Sequence, residues 1–132
     1  VLHVLAVEDD DRHAALLDDA LCRVAVVQRV AHADDALAAL AWVVPDVVLS
    51  DVRGTSDAAP LLAATSLRMA MDRAAARARA RIPLVLVSAV DPDVLHAIVD
   101  TLHDTHALPK PFSPRDLRAL IDRLTSHGGP SP

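Results

Sequence analysis

The sequence predicts an α/β fold, a doubly wound five-stranded parallel sheet with helices on both faces. Three observations carry that expectation. Short apolar, β-branched runs alternate with longer segments of helical periodicity five times along the chain, a pattern that parallel sheets with crossover helices produce. The apolar runs are nearly continuous rather than alternating, as in strands buried on both faces. The residues able to do chemistry, Glu8, Asp9, Asp51, Ser88 and Lys110, each follow one of those runs, and in open parallel sheets ligands gather at the carboxyl ends of the strands.

The first strand is expected over Val1 to Val7, cut off by Glu8-Asp9-Asp10-Asp11. Leu17, Leu21 and Val24 then recur at helical spacing beside Ala14 and Ala20, and Cys22 reads as a small apolar helix residue. Val24 to Val30 supplies a second strand. Asp34 is the expected N-cap of a helix over Ala36 to Val43, stopped by Pro45. Val47-Val48-Leu49 is the third strand and runs into Asp51.

The Ala- and Arg-rich segment Ala58 to Arg81 has strong helical propensity, and Pro83 to Ser88 is the fourth strand. Asp91-Pro92 opens the next helix with a cap residue followed by proline at its first position, and Leu95, Ile98, Val99 and Leu102 form its apolar stripe. A short strand falls around Ala107-Leu108. Ser113-Pro114-Arg115-Asp116 reads as a capping box before Leu117, Leu120, Ile121 and Leu124. Residues 1–126 are expected to form one domain, and 127–132, with Gly128-Gly129-Pro130, a tail or linker.

A length of 132 residues suits one core. The net charge of -5 gives no footprint for direct nucleic-acid binding, which needs a basic surface. No run is long enough and apolar enough for a membrane helix. A single cysteine allows no internal disulfide, in keeping with a cytoplasmic protein. The seven histidines are read as surface or hydrogen-bonded residues, with His96 and His103 two turns apart on one helix face, too far for a compact metal pair.

If the first and third strands are neighbours, Glu8, Asp9 and Asp51 converge at one sheet edge. Three carboxylates there repel one another unless a cation is bound, and Mg²⁺ suits oxygen ligands while keeping waters open to a phosphate. Asp51 is then a candidate nucleophile for in-line phosphoryl transfer, with Lys110 and Ser88 on the phosphoryl oxygens and the backbone carbonyl of Arg53 as a further metal ligand. Taken singly, each residue also fits a cap, a turn or a plain surface role.

The runs Val4-Leu5-Ala6-Val7-Glu8-Asp9-Asp10, Pro45-Asp46-Val47-Val48-Leu49-Ser50-Asp51-Val52-Arg53, Leu86-Val87-Ser88-Ala89 and Leu108-Pro109-Lys110-Pro111-Phe112 together resemble the receiver domains of two-component response regulators. The resemblance spans nearly the whole chain. It implies the flavodoxin-like receiver fold with strand order 2-1-3-4-5. It also implies Glu8 and Asp9 as the acidic pair, Asp51 as phosphoacceptor, Ser88 as switch hydroxyl and Lys110 as phosphoryl-binding lysine. Mg²⁺ is the implied cofactor. The implied partners are a sensor histidine kinase or a histidine phosphotransfer protein, with an output domain elsewhere and room for a homodimer. The implied activity is self-catalysed phosphorylation and dephosphorylation, as a switch or a relay.

The chain departs from the family pattern in three places. Gly54-Thr55-Ser56 replaces the usual Met-Pro of the loop after the phosphoacceptor. Ala107 stands where an aromatic switch residue is usual. Ser88 follows Asp51 by 37 positions, lengthening the third helix around Arg73, Arg77, Arg79 and Arg81, which read as a solvated basic face. Two alternatives stay open: a phosphorylation-independent interaction or dimerisation module, and a Mg²⁺-dependent phosphohydrolase. Arg53 stands against the second, because those enzymes place a second Asp two residues after the nucleophile.

Overall fold

The structure, a computed structural model, describes residues 1–52 and 59–126. Five strands alternate with five helices: β1 Leu2–Val7, α1 Asp11–Leu21, β2 Ala25–Val30, α2 Ala33–Leu40, β3 Val47–Asp51, α3 Ala59–Ala78, β4 Leu84–Ser88, α4 Pro92–Thr101, β5 Thr105–Pro109 and α5 Pro114–Ser126. The sheet is parallel throughout, with strand order β2-β1-β3-β4-β5. The sequence expectation of a doubly wound five-stranded sheet holds in this order.

Each central strand sends alternate side chains to opposite faces, and two cores result. On one face Leu5, Val7, Val48, Leu84 and Leu86 pack under α2, α3 and α4 with Leu40, Leu67, Met71 and Leu95. On the other, Val4, Ala6, Val47, Leu49, Val85 and Val87 meet α1 and α5 through Leu17, Leu21, Leu117, Leu120, Ile121 and Leu124. Ala, Leu and Val do nearly all of this filling, which small residues allow when helices lie close to the sheet.

Helix starts follow local chemistry. Asp10 caps α1 by accepting from the backbone N–H of Arg12 and His13 at 2.8 and 3.3 Å. Asp91 caps α4 by accepting from Asp93 N–H at 2.8 Å, with Pro92 at the first position. At α5 the capping box is reciprocal: Ser113 Oγ accepts from Asp116 N–H at 3.0 Å, and Asp116 Oδ2 accepts from Ser113 N–H at 3.2 Å.

Four local expectations are corrected. Residue 32, not Asp34, caps α2: His32 has extended backbone and no side-chain cap bond, while Asp34 and Asp35 lie in the first turn, where negative charge suits the helix dipole. Val24 belongs to the turn before β2 and is exposed, its N–H bonded to Leu21 O. Cys22, expected as a small apolar helix residue, is the exposed C-cap just past α1. His103 lies beyond the end of α4, so it shares no helix with His96; its Nε2 is 2.8 Å from Asp72 Oδ2 on α3.

Arg73, Arg77, Arg79 and Arg81 are exposed, as expected of a solvated basic face, and three arginines in and just after α3 also tie it to its neighbours. Arg68 is buried, with Nε 3.0 Å from Asp72 Oδ1 and Nη1 donating to Asp104 O at 3.0 Å. Arg77 donates to Leu40 O at 2.7 Å, satisfying a carbonyl at the end of α2. Arg81 forks onto Asp104 at 2.7 and 2.9 Å. Arg79, just past the helix, takes a left-handed backbone with φ 51°. No helix among the described residues is long and apolar enough to cross a membrane.

Candidate phosphoryl and metal site

Parallel pairing puts the ends of β1 and β3 side by side, with Val7 opposite Ser50, and Asp51 opposite Val87 of β4. Ser88 ends β4 opposite Pro109 of β5, so Lys110 comes to the same edge, and Lys110 N–H donates to Ser88 O at 2.7 Å. The register alone therefore gathers residues that are up to 102 positions apart in the chain, Glu8 and Lys110 being the extremes.

Glu8, Asp9 and Asp51 each offer a carboxylate oxygen lying within 4.8 Å of the other two. Lys110 Nζ donates to Asp51 Oδ1 at 2.9 Å. A cleft open to solvent lies above Asp51, lined by Asp10, His13, Val52, Ala89, Val90 and Lys110. Ser88 is fully buried; its hydroxyl donates to Val52 O at 2.6 Å and accepts from Val90 N–H at 3.0 Å.

Glu8 is 3% exposed. Burial and the neighbouring Asp51 charge push its carboxyl above the usual range, only partly offset by Lys110 and His13. Burial is the larger cause, and the Asp51 repulsion is the part that a cation would offset. A hard divalent cation such as Mg²⁺ fits the all-oxygen donor set and relieves the repulsion.

Two contacts were absent from the sequence expectations. His13 Nδ1 lies 2.9 Å from Glu8 Oε1 and 3.4 Å from Lys110 Nζ. Arg29 of β2 donates through Nε to Glu8 O at 2.7 Å and through Nη1 to Asp11 Oδ1 at 2.8 Å. His13 falls five residues after Glu8, at the start of a helix folding back over the strand end; that spacing was the available signal. Arg29 carried none, since strand pairing alone brings it near. The expected Arg53 carbonyl ligand and the Gly54-Thr55-Ser56 segment lie outside the described residues. Ala107 sits partly buried on β5, packed against the α4 side of the core.

Neither a protein-family model nor a curated protein matches the sequence. Solved structures do match in fold. The signal receiver domain of a signal transduction histidine kinase from Syntrophus aciditrophicus is 22% identical, with TM-score 0.77 over 100% of this chain and 96% of that one. The receiver domain of the sensor histidine kinase PA1611 from Pseudomonas aeruginosa, described with a magnesium ion coordinated in its active-site cleft, is 20% identical with TM-score 0.73, covering 95% and 98%. A transiently phosphorylated switch in bacterial signal transduction is 26% identical with TM-score 0.74, covering 98% of each chain. The chain has the fold of response-regulator receiver domains.

Proposed function

We propose that this chain is a two-component receiver domain that accepts a phosphoryl group on Asp51. The observation that supports this most is the Lys110–Asp51 contact of 2.9 Å beside the Glu8, Asp9 and Asp51 cluster. It unites a nucleophile, a cation for the incoming group and a carboxylate set of metal-binding chemistry at one strand edge.

In the transfer, an Asp51 carboxylate oxygen attacks the phosphorus of a phosphohistidine. The P–O bond forms as the P–N bond breaks, the imidazole leaves with that electron pair, and an acyl phosphate results. Lys110 passes from the carboxylate to a phosphoryl oxygen. Ser88 must exchange its bond to Val52 O for one to the phosphoryl group. Glu8, Asp9 and Asp51 would hold Mg²⁺, which would supply charge neutralisation at the phosphoryl oxygens. Water attacking the same phosphorus releases inorganic phosphate and restores the Asp51 carboxylate.

The phosphodonor on this reading is a sensor histidine kinase or a histidine phosphotransfer protein in the cytoplasm, and the domain serves as a signalling switch or a relay. An output domain and a homodimer belong to the same reading. Ala107 removes the aromatic lever, so signalling runs through another surface change, or the chain works as a carrier of phosphate.

Intact-mass spectrometry after incubation with acetyl phosphate and Mg²⁺ tests the proposal. The expected result is one added phosphoryl group, removable by hydroxylamine, in wild type and none in Asp51→Asn. Equal labelling of both proteins would sink the assignment of Asp51. No labelling of a folded, Mg²⁺-binding wild type would favour the phosphorylation-independent interaction module.

A further inference from the structure

Glu8 is held at three points. Its N–H donates to Val30 O at 2.9 Å, its carbonyl accepts from Arg29 Nε at 2.7 Å, and its side chain meets His13 at 2.9 Å. The first two fix the backbone and leave the side-chain torsions free. Only the third fixes the carboxylate, which is buried and repelled by Asp51.

His13 is itself well anchored. The Asp10 cap takes its backbone N–H at 3.3 Å, placing the residue in the first turn of α1 with its ring directed back over the end of β1. With Glu8 ionised, as a metal ligand must be, a lone pair on Nδ1 would face the lone pairs of Oε1 at 2.9 Å, so the ring then carries its proton on Nδ1 and acts as donor. A protonated Nδ1 cannot accept from Lys110 Nζ at 3.4 Å, and the ammonium is left to its shorter contact with Asp51 at 2.9 Å.

We infer that His13 is a positioning residue of the site: its Nδ1–H donor holds the Glu8 carboxylate within the acidic cluster and so tightens Mg²⁺ binding. The inference rests on the proposed metal role of Glu8, Asp9 and Asp51. It deepens that role by naming the group that orients one ligand. Hydrogen bonds that orient metal ligands commonly change affinity by about 10- to 100-fold when removed.

Mg²⁺ titration calorimetry on the unphosphorylated chain provides the test. His13→Leu keeps the bulk and removes the donor, at a half-exposed position beside apolar Leu16, Leu17 and Phe112; thermal unfolding checks that it folds. His13→Asn keeps a donor close to the place of Nδ1. The expected result is binding about tenfold weaker in His13→Leu, most of that loss restored in His13→Asn, and no additional loss when His13→Leu is added to Glu8→Gln.

Wild-type affinity in His13→Leu, alongside weakened binding in Glu8→Gln, overturns the positioning role and leaves the metal site standing. The same holds if His13→Asn is as weak as His13→Leu, or if the His13 and Glu8 losses add in full. Absence of Mg²⁺ binding by wild type, or undiminished binding by both Glu8→Gln and Asp9→Asn, overturns the metal-site reading itself, and this inference falls with it.

Discussion

The Ser88 hydroxyl donates to the carbonyl of Val52, the residue immediately after Asp51, at 2.6 Å. The end of β4 is therefore tied through this hydroxyl to the backbone just past Asp51. It also accepts from Val90 N–H at 3.0 Å, so one buried oxygen ties the ends of two strands together.

Ser88→Ala is expected to leave Val52 O and Val90 N–H without this partner and to cost about 1–3 kcal/mol of stability. Ser88→Thr retains the hydroxyl and should recover most of the loss. Urea unfolding of the three proteins measures this; an alanine variant as stable as wild type would show that the bond contributes nothing net.

Lys110→Ala removes the ammonium from beside Asp51, whose side chain is 17% exposed. The carboxylates of Glu8, Asp9 and Asp51 then face one another with less compensation, and stability should fall by about 1–3 kcal/mol in the absence of divalent cations. Adding Mg²⁺ should narrow the gap to wild type. Unfolding curves with and without the metal read this directly, alongside slower labelling by acetyl phosphate.

Asp104 carries a pH prediction. Burial alone would raise its carboxyl, but hydrogen bonds from Arg81 and His106 and the charges of Arg81 and Arg68 outweigh burial and hold it below its usual range. A depressed folded value stabilises the native state fully above the ordinary aspartate range, and that stabilisation is lost as pH falls through the folded value. Arg81 is partly solvated, so Asp104→Asn should cost only about 1 kcal/mol at neutral pH. The difference from wild type should shrink once pH drops below about 4. A constant difference across that window would contradict the ion-pair account.

Arg77→Gln should lose the bond to Leu40 O at the end of α2 and cost about 0.5–1.5 kcal/mol. Phosphorylation of Asp51 should be unchanged, because Arg77 lies far along α3 from the site. Parallel measurement of unfolding and labelling separates the two effects.

The sheet and its acidic edge were legible because both depend on strongly local signals. Acidic Glu8-Asp9 ends an apolar run, Asp51 ends another, and Asp91-Pro92 and Ser113 announce helices through short-range caps. Alternation of strands and helices then brings the site residues to one edge without further information. The features without a local signal depend on tertiary contacts. His32 has no side-chain cap bond, so Asp34 was the stronger local signal for the start of α2. Nothing local marks Arg68 for burial; only α3 lying against Asp104 buries it. His13 is an ordinary helix residue in sequence and meets Lys110, 97 positions later, only through the fold.

Arg68, Arg81 and His106 all reach Asp104, and Asp104 O also accepts from Leu84 N–H at 3.0 Å where β4 begins. This knot binds α3, β4 and β5 at the edge of the sheet opposite Asp51. The fold is riveted at the end of the strands away from the acidic rim, which gives changes at that rim a fixed fulcrum to work against.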